Sequence, residues 1–336
     1  MTNAAESYLD FDPLLDLLDQ QLDRVSREAR LPPELLSGAL YAPIREFLAR
    51  PRRGLRASLV EAGWHLGGGS GPPPAELPQI VEVLHAGSLI IDDIEDAALL
   101  RRARPALHQL HGVPLALNAG NWLYFWAMAL LEAIPGDHAL HAELYRLTTR
   151  TFLACHHGQA LDLGLNVATL ERRQVPSAVL ATSRLKTAAL VEYGLLLGGR
   201  AAGADRLRLA QLARLGTALG VSIQMLDDLG GLTREDRCLK GHEDLLNGRA
   251  TWPWAWLAEG GDAWDELTAL SREVRGRETH PEILAERLRD ALGDRGRDAV
   301  RAELTTTISI LDGAFERSTA SVQLRSAIEA LEATYA

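Results

Sequence analysis

Cysteine is nearly absent from this 336-residue chain. Cys155 and Cys238 are the only two, too few for a disulfide framework and in keeping with a reducing compartment such as the cytoplasm. Aromatic residues make up 5% and β-branched runs are short, which argues against a sheet-built core and leaves the abundant Ala and Leu to favour helix. Excess positive charge is missing as well: the formal net charge is −10, against a nucleic-acid surface or a polybasic membrane patch. The opening MTNAAESYLDFDP has neither a basic stretch nor an apolar core, so no secretory leader is expected. Strand-like alternation is sustained nowhere, and no fixed-period repeat occurs.

What is present is hydrophobic residue at 47%, ample for a large core. Asp12-Pro13 reads as an N-cap with Pro at the first helical position. Leu31–Leu36 starts another helix, and the loop GGGSGPPPAELP precedes a third that runs through Ile80, Leu84, Gly87 and Ile91. Further helical stretches are expected at 117–133, 141–164, 177–199, 205–229, 251–258 and 281–333. The reading is one large all-α domain over 1–336. Gly112–Leu131 is uncharged over about the length of a bilayer span, but Pro114, Asn118 and Asn121 interrupt it. A helix hydrophobic all round and buried at the centre of the protein is the expectation, with no membrane span.

LIIDDIEDAALLRR (Leu89–Arg102) then stands out. Asp92 and Asp96 lie one helical turn apart on one face, with Asp93 beside them. Like charges at that spacing repel, and the apolar approach Val83, Leu84, Leu89, Ile90, Ile91 argues against simple solvation. A hard divalent cation such as Mg²⁺, which takes carboxylate oxygens, resolves the repulsion. A solvated acidic helix end is the plainer reading of this cluster alone.

A second cluster shifts the balance. SIQMLDDLGG (Ser222–Gly231) again ends an apolar helix with paired aspartates, Asp227 and Asp228, and Gln224 sits one turn earlier. Two such pairs suggest two walls around shared metal ions, with a diphosphate between them. Cations suited to phosphate accompany them: Arg53 and Arg56 before an apolar helix, Arg101 and Arg102 after the first cluster, Lys186 beside Thr187 inside an apolar helix, and Lys240 and Arg249 after the second. Any one of these alone reads as a snorkelling surface residue or an ordinary ion pair; their conjunction carries the argument. The adjacent Cys155, His156 and His157 point in different directions on a helix and read as structural.

Several segments, in order, resemble the trans-isoprenyl diphosphate synthases, or polyprenyl synthetases. PRRGLR is similar to a G-K-x-x-R segment, with Arg53 in the lysine's place. VEVLHAGSLIIDDIEDAALLRRARPALHQLHG resembles the first Asp-rich motif, LNAGNWL resembles A-G-D-x-L, and HHGQALDL matches G-Q-x-x-D through Gln159 and Asp162. LKTAAL matches the K-T motif, and IQMLDDLGG…KGHEDLLNGRATWP resembles the second Asp-rich region. The resemblance covers about residues 50–257, leaving C-terminal helices over 262–336. It implies a single helical bundle of the class I isoprenoid synthase type with a central cavity, most like a bacterial short-chain synthase.

The same resemblance implies roles. Asp92, Asp93, Asp96, Asp227 and Asp228 would bind Mg²⁺, three ions with Mn²⁺ able to substitute. Arg101, Lys186 and Lys240 would clamp an allylic prenyl diphosphate, with Arg249 and Gln224 also binding substrate and Thr187 and Gln224 beside the allylic cation. Isopentenyl diphosphate would sit on Arg53, Arg56, His85 and Arg102. A lone histidine such as His85 is otherwise a satisfied core residue, but it lies two turns before Asp92 on nearly the same side. Released pyrophosphate would take the final proton. Family members are commonly homodimers.

Departures from the pattern are informative. Gly231 stands where a third aspartate is usual, and Gly230-Gly231 is expected to end or bend its helix early. Asn121 replaces an aspartate, and Asp244 is a candidate supporting carboxylate. A helical turn rises about 5.4 Å, close to one isoprene unit, so residues below Asp92 act as rungs: Gly87 and Ser88 are small, and Leu84 and Val81 follow. A C20 product is expected, with C15 or C25 as alternatives, and the aromatics Trp122, Tyr124, Phe125 and Trp126 could block the tunnel. Competing readings are a class I terpene cyclase, which lacks a second diphosphate pocket, and a weakened regulatory subunit, which usually loses the first motif.

Overall fold

The structure, a computed structural model, describes residues 12–50, 54–102, 104–260 and 263–335. It is all-α, as expected, from the helix Asp12–Ala29 to the helix Thr319–Tyr335. Among the described residues the one sheet is an antiparallel ribbon pairing Leu100–Arg101 with Arg104–Pro105. The chain divides into two compact units, one from residues 1–61 with 72–145, the other from 62–71 with 146–336.

In the first unit the helix Glu76–Glu95 packs along the helix Val113–Leu130. Leu77, Ile80, Val81, Leu84 and Ile90 give the former its buried side. The two backbones approach at Gly87 and Gly120: a Cβ on Gly87 would lie 2.9 Å from the Gly120 carbonyl oxygen and 3.1 Å from Leu123 Cβ. A side chain there forces the helices apart. Val113–Leu130 opens after Gly112 (φ 79°) with Pro in its first turn, where the missing N–H costs nothing.

This helix is not buried all round, contrary to the sequence expectation. It buries Ala116, Ala119, Gly120, Leu123, Trp126, Ala127 and Leu130, while Val113, Leu117 and Phe125 are exposed. The small residues select the packed face, because they alone admit a close neighbour; uniform hydropathy does not mark which face that is. Among the described residues no helix is long and apolar enough to cross a membrane. Trp122 meets Tyr41 edge-on at 5.5 Å and Trp126 at 5.1 Å between ring centres.

The second unit is organised on the long helix Arg206–Thr233, which lies against Ala189–Ala201 and Arg295–Ala314. Asp205 caps it, accepting from the Arg208 N–H at 2.7 Å. Leu212, Leu215, Leu219, Met225 and Leu226 are buried along it. Gly230-Gly231 neither ends nor interrupts it, a second correction: the helix runs on to Thr233. Both glycines are buried, and a Cβ on Gly231 would sit 3.1 Å from Gly241 Cα of the helix Cys238–Asn247. The glycines serve contact between helices, and that contact offsets their backbone entropy.

The continuous stretch expected at 281–333 is three helices, Pro281–Leu292, Arg295–Ala314 and Thr319–Tyr335. Gly293, with φ 54°, breaks the first junction and extended Phe315 the second. Trp264–Arg275 precedes them, so the C-terminal part is helical as anticipated.

Candidate functional site

The first unit presents its acidic cluster where the helix Glu76–Glu95 stops. Asp92 and Asp93 are in its last turn, and Asp96 is the C-cap, its N–H bonded to the Asp92 carbonyl at 2.9 Å. Ala97 turns left-handed (φ 50°), and the Ala98 N–H reaches the Asp93 carbonyl at 2.9 Å. The chain then enters the ribbon, which returns Arg101 to the aspartates. Arg101 Nε donates to Asp93 Oδ1 at 2.7 Å, Nη2 donates to the same oxygen, and Nη2 also reaches Asp92 Oδ2 at 3.5 Å.

Asp93 is fully buried, and its Oδ2 finds no hydrogen-bond partner. Burial raises its carboxyl above the usual carboxylate range, and the bond from Arg101 opposes this without overcoming it. Arg101, in turn, is half-buried; desolvation lowers its pKa, but its bond to Asp93 and the charges of Asp93, Asp92 and Asp96 outweigh this and raise it. A carboxylate of this kind, with one oxygen satisfied and one buried and unclaimed, suits a hard cation, and the donor set around it is all oxygen. Among the described residues no three His, Cys, Asp or Glu side chains are arranged to hold a metal; Arg101 supplies the positive charge beside Asp92 and Asp93.

Next to this cluster lies a cationic group. Arg102 is left-handed (φ 54°), and its guanidinium carbon lies 5.9 Å from the Phe47 ring centre. Burial lowers its pKa; buried Glu82 opposes this, while the charges of Arg101, Arg56 and Arg50 add to it. Arg56, in the first turn of the helix Leu55–Leu66, therefore shares one electrostatic neighbourhood with Arg102. His85 is half-buried on the Asp-bearing helix, 3.5 Å from Ser88 Oγ, which also donates to the His85 carbonyl at 2.8 Å. Leu84 and Val81 are buried, and Gly87 is at the crossing with Gly120. Arg53 lies outside the described residues.

The second unit holds the other set. Thr187 donates to Gln224 Oε1, Gln224 Nε2 donates to Asp228 Oδ1 at 2.6 Å, and the Trp252 N–H donates to Asp228 Oδ2 at 2.9 Å. The Trp252 indole N–H donates to Ser183 Oγ at 2.9 Å. Ser183 begins a π-helical turn, Ser183–Ala188, that carries Lys186 and Thr187; such turns mark functional positions in helices. The bonds thus close a ring through Asp228, Trp252, the π-turn and Gln224. Burial pushes the Asp228 carboxyl up to about 8, with the charges of Asp244 and Asp227 contributing and the Trp252 and Gln224 bonds opposing.

Lys186 Nζ donates to Asp162 Oδ2 at 2.7 Å, and buried Arg249 donates to the Asp162 carbonyl. Gly158 lets the helix His138–Gly164 approach here, since a side chain would overlap the backbone of Leu185 and Lys186. Asp227 is exposed and pairs with Arg237 at 2.6 Å. Lys240 pairs with Asp244 at 3.2 Å. Sequence reasoning missed Arg237, Trp252 and Arg50. Arg237 had a weak signal as a cation in the turn after an acidic helix end. Trp252 reaches Asp228 through its backbone N–H, which no residue type announces.

Comparison with known proteins accords with this geometry. The polyprenyl synthetase family model matches residues 38–285. Geranylgeranyl pyrophosphate synthase 2 of Zymoseptoria tritici is 31% identical over 224 residues, 64% of this chain and 63% of that one. The geranylgeranyl diphosphate synthase of Sulfolobus acidocaldarius is 31% identical over 177 residues, 51% of this chain and 52% of that one. The chain spans between about half and just under two thirds of the length of these relatives. A solved geranylgeranyl pyrophosphate synthase shares the fold with a TM-score of 0.77 at 22% identity, over 95% of this chain and 98% of that one. A decaprenyl diphosphate synthase from Rhodobacter capsulatus gives 0.74 at 19% identity, over 94% and 99%.

Proposed function

The chain belongs to the polyprenyl synthetase family, and on that footing we propose that it is a Mg²⁺-dependent prenyltransferase. It joins isopentenyl diphosphate head-to-tail to an allylic prenyl diphosphate and releases a linear prenyl diphosphate, geranylgeranyl diphosphate (C20). The observation that carries this reading is Asp93: a buried carboxylate in an acidic cluster, bonded on one oxygen to Arg101 and open on the other. The 31% identity to geranylgeranyl diphosphate synthases supports the C20 product.

Asp92, Asp93, Asp96, Asp227 and Asp228, all hard oxygen donors, would hold Mg²⁺, three ions with Mn²⁺ able to substitute. Bound there, the metal would supply positive charge for the oxygens of a leaving diphosphate. Arg101, Lys186 and Lys240 are the cations that receive the oxygens of the allylic diphosphate. Arg249 acts on Lys186 through Asp162, which both contact. The Thr187 hydroxyl and the Gln224 amide, already aligned by their mutual bond, set dipoles beside the developing allylic cation. Arg53, Arg56, His85 and Arg102 bind isopentenyl diphosphate. Its double bond attacks the cation, and the pyrophosphate released takes the proton, so no side chain is assigned as base.

Ser88 is the first rung below Asp92 and too small to stop the product, while buried Leu84 and Val81 lie deeper. The protein acts as a cytoplasmic homodimer; the exposed Val113, Leu117 and Phe125 of one helix suit contact with a second copy. Product formation from isopentenyl diphosphate and an allylic primer is the test, and hydrocarbon release without consumption of isopentenyl diphosphate would contradict the assignment.

A further inference from the structure

No motif marks Arg50, yet it is 1% exposed, and a buried guanidinium is costly unless its donors are satisfied. Its donors divide among three recipients. Nε lies 3.2 Å from both carboxylate oxygens of Glu46, and Nη2 donates to Glu46 Oε2 at 2.8 Å. Nη1 donates to the Arg101 carbonyl at 3.2 Å, and Nη2 to the Pro105 carbonyl at 2.9 Å. The guanidinium carbon also lies 5.0 Å from the Phe47 ring centre. One arginine therefore grips one carbonyl from each strand of the ribbon that follows the acidic cluster.

That ribbon needs an external hold. It contains two residue pairs, Leu100 with Pro105 and Arg101 with Arg104, too few to be stable alone. Arg102 is left-handed at its turn, a conformation that disfavours a long side chain. Arg101 and Arg102 are consecutive and serve different ends: the first reaches Asp92 and Asp93, and the second lies over the Phe47 ring. The carbonyl that Arg50 Nη1 holds belongs to the peptide joining these two arginines. Glu46 completes the brace, neutralising Arg50 and taking Arg104 Nη1 at 3.3 Å.

We propose that Arg50, with Glu46 as its counter-ion, is a positioning residue for diphosphate binding: it clamps the paired strands Leu100–Arg101 and Arg104–Pro105 so that Arg101 and Arg102 keep the orientations in which they receive phosphate oxygens. The proposal rests on the diphosphate reading above. It assigns a part in the reaction to a side chain that touches neither substrate.

The test uses the full chain with Arg50→Lys, which keeps the charge but cannot fork to Glu46 and two carbonyls, and Arg50→Met, which keeps volume without charge. Hydrogen exchange is followed by mass spectrometry, and binding of inorganic pyrophosphate with Mg²⁺ by calorimetry. In both variants exchange should quicken over 99–106, where the Ala106 N–H is bonded to the Leu99 carbonyl, and stay unchanged over 206–233. Pyrophosphate should bind about tenfold more weakly, and KM for isopentenyl diphosphate should rise by more than kcat falls. Wild-type exchange over 99–106, or wild-type pyrophosphate affinity in a folded variant, would overturn the proposal. So would exchange that rises evenly along the chain, since that marks a merely structural arginine. A wild-type protein that binds no pyrophosphate would instead contradict the diphosphate reading beneath it, whatever exchange shows.

Discussion

Arg101 and Asp93 form an ion pair that leaves one buried carboxylate oxygen open: Nε meets Oδ1 at 2.7 Å, and Oδ2 has no partner. The pair holds the acidic helix end together while keeping a coordination point in reserve. Asp93→Asn removes the charge that Arg101 answers. Because burial outweighs the Arg101 bond at this carboxyl, the variant should be relatively more stable, against wild type, at pH 7 than at pH 4.5. Urea unfolding at both pH values measures it, and a variant that loses more stability at pH 7 than at pH 4.5 would contradict that balance.

Ligand linkage gives a second prediction. A ligand that binds only the folded state adds about 2.7 kcal/mol at a hundredfold excess over its Kd. Mg²⁺ with inorganic pyrophosphate should therefore raise the melting temperature of the wild-type protein, and EDTA should reverse the gain. Asp92→Ala should fold, because Asp92 is only partly buried and less tightly bonded to Arg101 than Asp93 is, yet show little of that gain. An equal gain in the variant would show that the first cluster is not the metal site.

Gly231 occupies the position of a usual third aspartate, but its role here is steric. A Cβ at Gly231 would stand 3.1 Å from Gly241 Cα, so rebuilding the aspartate overpacks a helix contact. Gly231→Asp should lose about 1–3 kcal/mol of stability and gain no activity. A more active variant of normal stability would mean that the glycine records a lost ligand.

Two adjacent residues separate packing from product length. Gly87 touches Gly120 across the helix crossing, whereas Ser88 keeps partial exposure one turn below Asp92. Gly87→Leu should destabilise the first unit, and Ser88→Phe should fold normally and shorten the product toward C15. Chain length by mass spectrometry, set beside thermal melting, distinguishes the two; an unchanged product from Ser88→Phe removes Ser88 from the tunnel.

Glu192 supplies a pH signature away from the site. Burial raises its carboxyl above the ordinary value, against a 2.7 Å bond from the Thr217 hydroxyl. A raised acid is neutral in the fold at low pH without penalty. As pH climbs from the unfolded value through the folded one, the fold must carry the buried charge, and stability falls. Glu192→Gln should flatten that fall and be relatively more stable at neutral than at mildly acidic pH. Parallel unfolding curves at pH 4.5 and 7 for both proteins would contradict the sign.

The parts legible in the sequence were those written in local spacing. Asp92 and Asp96 one turn apart mark the end of their helix, and Asp227-Asp228 after an apolar run mark a second acidic cluster, although their helix runs on to Thr233. The unread parts depend on partners distant in the chain. Arg50 is one arginine among many until the ribbon 51 residues later presents its carbonyls. Gly231 suggests a helix stop until Gly241 packs against it. The exposed side of Val113–Leu130 keeps apolar Val113, Leu117 and Phe125 beside Asn118 and Asn121, so overall hydropathy hides it; the two asparagines and, opposite them, the small residues Ala116, Ala119 and Gly120 were the available signal.

The most direct measurement is incubation of the purified protein with Mg²⁺, isopentenyl diphosphate and each allylic primer in turn, with products read by mass spectrometry. The account predicts a linear C20 prenyl diphosphate, abolished by Asp92→Ala. Unconsumed isopentenyl diphosphate, whether or not an allylic diphosphate is turned into hydrocarbon, would contradict it.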